Sequence, residues 1–232
     1  MMHSLPEGYR ALVIGANGAI GSALLQQLQN DPRCELAQGV SRQSSPGLDL
    51  LNEESIAACA QALMAQGPFH LVLDATGALT LNGRGPEKRL DELDATHLLA
   101  ALQLNAVGPS LLLKHFVPLL ASGERVIWGK LSARVGSIED NRKGGWYGYR
   151  AAKAALNMLL QTASIELARR RPLAVVAALQ PGTVQSALSQ PFVGHDALRP
   201  EESAQRLLAV LDALQPTGRA QFVDHQGQSI PW

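Results

Sequence analysis

Gly15-Ala16-Asn17-Gly18-Ala19-Ile20-Gly21 is the stretch on which the reading of the chain turns. It follows a short apolar run at residues 11–14 and opens a pattern of helical period at 19–29, so strand, turn and helix stand in that order. Gly15, Gly18 and Gly21 recur at every third residue. Such glycines permit a tight turn and close helix packing, and they let backbone N–H groups at a helix N-terminus face a pyrophosphate. A glycine triplet also occurs in plain strand-to-helix turns, and it is the position behind the first strand that points to a dinucleotide.

Outward from that turn, apolar runs keep alternating with longer helical patterns: 35–40 then 53–65, 70–74 then 90–120, 125–128 then 149–170, 173–179 then 201–214, and a last strand at 220–223. Strand and helix taking turns predict a single α/β domain over residues 1–232, a Rossmann-type doubly wound parallel sheet with helices on both faces. Two stretches break the alternation, 132–148 and 182–200. Both follow the carboxyl ends of strands, the edge at which open parallel sheets bind ligands, and they are expected to carry the substrate.

Composition excludes other classes. The chain has 232 residues, 20 Lys plus Arg and 20 Asp plus Glu. A formal balance of zero leaves no basic footprint for nucleic acid. The apolar stretches are interrupted before about 18 residues, and the N-terminus has neither a cationic start nor a long apolar core, so no membrane span or secretory signal is expected. Cys34 and Cys59 have no metal-site spacing and read as reduced thiols of a cytoplasmic protein without a metal.

The second strand ends at Gly39-Val40-Ser41-Arg42, where an acidic residue would accept the two ribose hydroxyls of NAD. A guanidinium and a hydroxyl suit a 2′-phosphate, so NADP(H) is expected, with NAD(H) the lesser alternative. Asp49 and Leu50 follow the next apolar stretch and suit the adenine amino group and ring, although an Asp there also caps a helix. Further on, Tyr149 and Lys153 stand four apart and hence on one helical face. An ammonium beside a phenol favours the phenolate, which makes the pair a candidate acid and base.

Five motifs in order carry a resemblance that covers nearly the whole chain. They are the glycine turn, Asn105 in a middle helix, Ser132 after what the family counts as the fifth strand, Tyr149-x-x-x-Lys153, and Pro181-Gly182-Thr183-Val184 after its sixth. The chain resembles the short-chain dehydrogenase/reductase family. Ser132-Ala133-Arg134-Val135-Gly136-Ser137, the Gly144-Gly145-Trp146-Tyr147 run and the Ile230-Pro231-Trp232 ending resemble its C-factor-like branch, which includes developmental signalling proteins. The resemblance implies that Tyr149 exchanges a proton with the substrate oxygen, that Lys153 lowers its pKa and binds the nicotinamide ribose, and that Ser132 bonds the carbonyl. Pro109 removes the helical bond to the Asn105 carbonyl four residues back, which would leave it to hold a relay water.

The chain departs from the family at three places. Ala19 stands for a middle glycine, with Gly18 beside it. Asp74-Ala75-Thr76-Gly77 stands for an Asn-Asn-Ala-Gly-like turn at the cofactor and brings a carboxylate without an evident purpose. Seventeen residues separate Ser132 from Tyr149, more than the family usually has, and Ser137, at twelve, is a rival hydroxyl; Ser132 is preferred because it lies nearer the strand end.

The expected activity is interconversion of a carbonyl and an alcohol on a small to medium, partly apolar molecule. Trp146, Tyr147, Leu188 and Phe192 are candidates for the pocket wall. A dinucleotide-binding signalling protein with incidental turnover is the other expectation. Leu98, Leu99, Leu102, Leu111, Leu112 and Leu113 in one helix, and Leu156, Met158, Leu159 and Leu160 in another, exceed what one sheet-facing stripe needs, so a homodimer or homotetramer is expected.

Overall fold

Among the described residues six strands join in one parallel sheet, held by apolar runs that are buried in all but the edge strand at residues 34–40. In the computed structural model, which describes residues 1–186 and 197–232, these are β1 (Tyr9–Ile14), β2 (Cys34–Val40), β3 (Leu71–Asp74), β4 (Val126–Leu131), β5 (Ala174–Gln180) and β6 (Gln221–Asp224). Their order across the sheet is β2-β1-β3-β4-β5-β6, and each pairing is parallel. The helices are α1 (Ala19–Gln29), α2 (Glu53–Leu63), α3 (Ala95–Leu102), α4 (Gly108–Phe116), α5 (Tyr147–Arg170) and α6 (Pro200–Ala213).

The two-residue period of the strands splits the core between the two faces. Leu12, Ile14, Val72, Trp128 and Val176 pack with residues of α2, α4 and α5. Their neighbours Ala11, Val13, Leu71, Leu73, Ile127 and Val175 point the other way, onto α1 and α6. The chain leaves β1 for β2 on one side and returns across β1 to β3 on the other, which opens a crevice at the carboxyl ends of β1 and β3.

The glycine turn stands in that crevice. Gly15 has φ +84°, and the N–H groups of Gly15 and Ala16 both donate to the Val40 carbonyl. A Cβ on Gly21 would lie 2.2 Å from the Gly15 carbonyl oxygen, so α1 rests against the turn at a distance that only hydrogen allows. Gly18 caps α1 without a side-chain hydrogen bond, which leaves the first-turn N–H groups facing outward.

Several boundaries differ from the sequence reading. β4 runs on to Leu131, so Ser132 follows it directly. Because no strand forms between β2 and α2, Ser132 follows the fourth strand of this sheet and Pro181 the fifth. The pattern at 90–120 is not one helix: a short turn, Leu90–Glu92, precedes α3, and a wide π turn at Gln103–Val107 joins α3 to α4. Ala95–Leu119 is long and apolar enough by length and composition to cross a membrane. In this fold it is a packed layer, burying His97, Ala101, Asn105, Ala106, Leu112 and Phe116.

Candidate active site

A cleft of about 1120 Å³ runs along the carboxyl edge of the sheet. One end is walled by Gly18, Ala19, Ile20, Gly21 and Arg42, the middle by Ala75, Thr76 and Gly77, and the other end by Ser132, Trp146, Tyr149 and Lys153. Pro181, Gly182, Thr183 and Val184 form the opposite rim. Leu79 and Val135 add apolar wall that the sequence reading missed.

Other expected residues stand behind this surface. Gly15 lies beneath the 75–76 backbone, where a Cβ would come within 3.1 Å of it. Asn17 donates to Gln43, and buried Ser41 accepts the Gln43 N–H at 3.2 Å. Arg42 lines the cleft and has no ion-pair or hydrogen-bond partner among the described residues. Asp49 and Leu50 do not line the cleft: Asp49 accepts the Leu51 N–H at 3.0 Å, and Leu50 is buried where a Cβ on Gly108 would strike it at 2.5 Å. Tyr147 opens α5 outside the cleft lining. Leu188 and Phe192 lie outside the described residues.

The glycines and the uncapped helix fit a dinucleotide. Side chains at Gly15, Gly21 and Gly77 would each fill space that the turn or its neighbours already occupy, and the N-terminus of α1 offers N–H groups to a pyrophosphate. Gly77, with φ +141°, has the Asn105 Oδ1 and Lys153 Nζ atoms at 3.1 Å and 3.5 Å from the site of its missing Cβ.

Asn105 has a further part to play through its side chain. Its amide accepts the Ala78 N–H at 3.1 Å and donates to the Ala78 and Ala101 carbonyls at 3.0 Å and 3.2 Å, which clamps the segment after Gly77 to the π turn. The sequence reading had fastened on its carbonyl, because a missing proline N–H is visible in a sequence and a tertiary amide clamp is not.

The carboxylate of Asp74 also has its explanation. It is fully buried, with Oδ1 3.0 Å from Lys130 Nζ, the register partner of Asp74 on β4. The same oxygen accepts the Thr76 N–H at 2.9 Å and the Thr76 hydroxyl at 2.6 Å, while Lys130 also donates to the Thr76 carbonyl at 2.6 Å. The network locks the Ala75-Thr76-Gly77 wall.

On α5, Tyr149 and Lys153 share a face as their spacing requires, with Lys153 Nζ 5.6 Å from the phenol ring centroid. Asn157 continues that face one turn on. Ser132 Oγ donates to Asn157 Oδ1 at 2.7 Å, and Asn157 Nδ2 is buried without a partner. Turning the amide over would pair Nδ2 with the serine oxygen and release the hydroxyl proton toward the cleft. Ser137 lies outside the cleft lining; its hydroxyl accepts the Asp140 N–H at 3.0 Å. Burial pushes the Tyr149 phenol up to about 12. It pushes Lys153 well below the ordinary lysine value, with the Lys130 charge adding to the fall and Asp74 opposing it. In both groups burial is the largest cause.

Glu87 was not foreseen. In the sequence it sits in a charged run that reads as loop surface, yet its side chain is fully buried. Glu87 Oε2 accepts the Gly148 N–H at 3.0 Å, and its carbonyl accepts the Trp146 N–H. Trp146, the residue ahead of α5, is left-handed and gives no side-chain cap. Glu87 thus caps α5 from a distant loop, next to Tyr149.

Comparison with known proteins gives the family and the fold. The family model described as enoyl-(acyl carrier protein) reductase matches residues 20–220. The chain is a short-chain dehydrogenase/reductase. It is 30% identical over 234 residues to the 1-hydroxy-2-glutathionyl-2-methyl-3-butene dehydrogenase of Rhodococcus sp. strain AD45, covering 95% of this chain and 98% of that one. It is 34% identical over 145 residues to the C-signal protein of Myxococcus xanthus, 62% of this chain and 83% of that one, which gives the family member its C-factor-like relatives. In fold it is similar to the NADPH-bound carbonyl reductase from chicken fatty liver, with a TM-score of 0.85, 21% identity, and 99% and 97% of the two chains covered.

Replacing Glu87 tests its capping role. Glu87→Ala orphans a buried N–H and should cost about 1–3 kcal/mol of stability in urea unfolding. Glu87→Gln keeps an acceptor and should lose well under half as much. Equal stability of both variants and the parent would remove the capping role.

Proposed function

We propose that this short-chain dehydrogenase/reductase interconverts a carbonyl and an alcohol on a small to medium, partly apolar molecule, with NADP(H) preferred. The observation that carries the reading is that Ser132, Tyr149 and Lys153 share one end of a cleft whose other end is the glycine turn with Arg42. The turn and the Thr76 wall would hold the dinucleotide, and Lys153 its nicotinamide ribose. When bound, the nicotinamide supplies the hydride that reaches the carbonyl carbon. Ser132 and Tyr149 orient the carbonyl oxygen, and the Tyr149 hydroxyl gives it the proton that completes the alcohol. Lys153, as an ammonium, stabilises the phenolate left behind until Tyr149 is reprotonated. Leu79, Val135 and Trp146 supply apolar wall for the rest of the substrate.

A second reading rests on the likeness to C-signal, a name that denotes signalling. In it the cofactor is bound and turnover is incidental. A panel of aldehydes, ketones and quinones followed by NADPH absorbance separates the two, since binding without any turnover favours the second.

Tyr149→Phe should keep cofactor affinity and lower turnover by at least about 100-fold, the scale of a lost proton donor. Near-normal turnover in that variant would sink the assignment.

Among the described residues Arg42 has no carboxylate partner, and no acidic residue shares its end of the cleft. A charge-assisted bond to a 2′-phosphate should make NADPH bind about tenfold or more tightly than NADH at low salt. The preference should shrink as salt rises, and Arg42→Ala should remove most of it. Equal dissociation constants for the two cofactors in the parent protein would end the reading.

We also propose association through α3 to α5. Of the apolar residues singled out in these helices, Leu112, Leu113, Leu156 and Leu160 belong to the core, whereas Leu99, Met158 and Leu159 stay exposed, together with Val107 and Ile165. A homodimer or homotetramer is expected by light scattering at micromolar concentration, and a monomer there would refute it.

A further inference from the structure

Two lysines are fully buried at the junction of cofactor and substrate, and one carboxylate serves them. Asp74 is committed to Lys130 by the 3.0 Å contact across the β3–β4 register, while Lys130 spends further hydrogen bonds on the Thr76 carbonyl and hydroxyl. Lys153 Nζ donates to the Leu131 carbonyl at 3.1 Å. The groups that face it from the surrounding elements are Lys130 from β4, Asp74 from β3, Tyr149 from its own helix and the neutral Asn105 amide from the π turn. The turn at Gly136 packs against its stem, and its one charged residue, Arg134, is paired with Asp140 and Asp224.

Two ammonium ions in so dry a place repel each other and lose hydration, and one carboxylate compensates one of them. The better-placed amine keeps its proton. Lys130 has the carboxylate at contact distance; among the described residues Lys153 donates to a backbone carbonyl alone. Burial lowers both lysines, yet Asp74 holds Lys130 up while Lys130 drives Lys153 further down.

We propose that Lys130 makes cofactor binding proton-linked: with Asp74 taken by Lys130, Lys153 stands as an uncharged amine in the free protein, and the negative charge of a bound dinucleotide supplies the counter-charge that lets it take one proton from solvent. The inference rests on the reading that the cleft binds a dinucleotide. Lys130 does not line the cleft and acts through Lys153, so it is a positioning residue. The sign follows from linkage. A group whose pKa is lower in the free protein than in the complex takes up a proton on binding at any pH between the two values. Affinity there rises as pH falls, by up to about tenfold per unit.

The test is the dissociation constant of NADPH, read by cofactor fluorescence between about pH 7 and pH 9, above the pKa near 6 of a phosphate monoester such as the 2′-phosphate. Calorimetry in buffers of different ionisation heat counts the protons. In the parent protein the constant should fall about tenfold per unit of decreasing pH over part of that range, with about one proton taken up. Lys130→Met hands Asp74 to Lys153 and should flatten the dependence, whereas Lys130→Arg should retain it. A pH-independent constant with no proton uptake in the parent protein would overturn the proposal, even if Lys130→Met did not fold. An unchanged slope in Lys130→Met would overturn the role of Lys130. Absence of NADPH binding at every pH would instead overturn the dinucleotide reading itself.

Discussion

The close approach of Gly21 to the Gly15 carbonyl sets the geometry on which the rest of the site depends. It brings the first turn of α1 down onto the end of β1, at the point where the chain order across the sheet reverses. Were α1 to stand off by even one methyl group, its N–H groups would no longer face the crevice beside the Thr76 wall. Gly15 carries the matching constraint from beneath, since the 75–76 backbone lies against it. Two strand ends that are remote in sequence thus become one surface.

A second organising line is the single face of α5. Tyr149, Lys153 and Asn157 follow one another at successive turns, so one helix aligns the phenol, the amine and the amide that holds Ser132. The alignment is no better than the anchoring of the helix. Its N-terminus is held by Glu87 at Gly148, and its Lys153 turn packs on Gly136. Rigid placement of this kind is what proton transfer demands, because reach changes steeply over fractions of an ångström.

Much of this was legible from residue order because it is local. Periodicity finds strands and helices, the glycine spacing finds the turn, and the four-residue step finds the shared face of Tyr149 and Lys153. The Asn157 contribution was available from the same step and was overlooked. What stayed hidden depends on partners far apart in the chain. Asp74 with Lys130 is separated by 56 positions, and Glu87 with Gly148 by 61. Glu87 among charged neighbours looks like solvent-facing loop, and Lys130 near a strand end looks like a flank. Neither reading can be corrected without the sheet register and the loop path. The end of β4 at Leu131, rather than at Trp128, was hidden by a local cause, a lysine at its fifth position that breaks the apolar run.

The pairing of Asp74 with Lys130 also shapes which sequences this fold can reach. Removing Asp74 strands a charge in the interior, at a cost on the order of 3–5 kcal/mol, and removing Lys130 shifts the carboxylate onto Lys153 and upsets its proton balance, whereas replacing both with neutral residues of similar size is often nearly neutral. The two positions are then strongly epistatic, with each single step deleterious in a background where the double step is tolerated. A lineage holding this pair is separated from one holding two neutral residues by a fitness valley one substitution wide. The pair is therefore inherited or lost as a unit, even though its members lie on different strands and 56 positions apart.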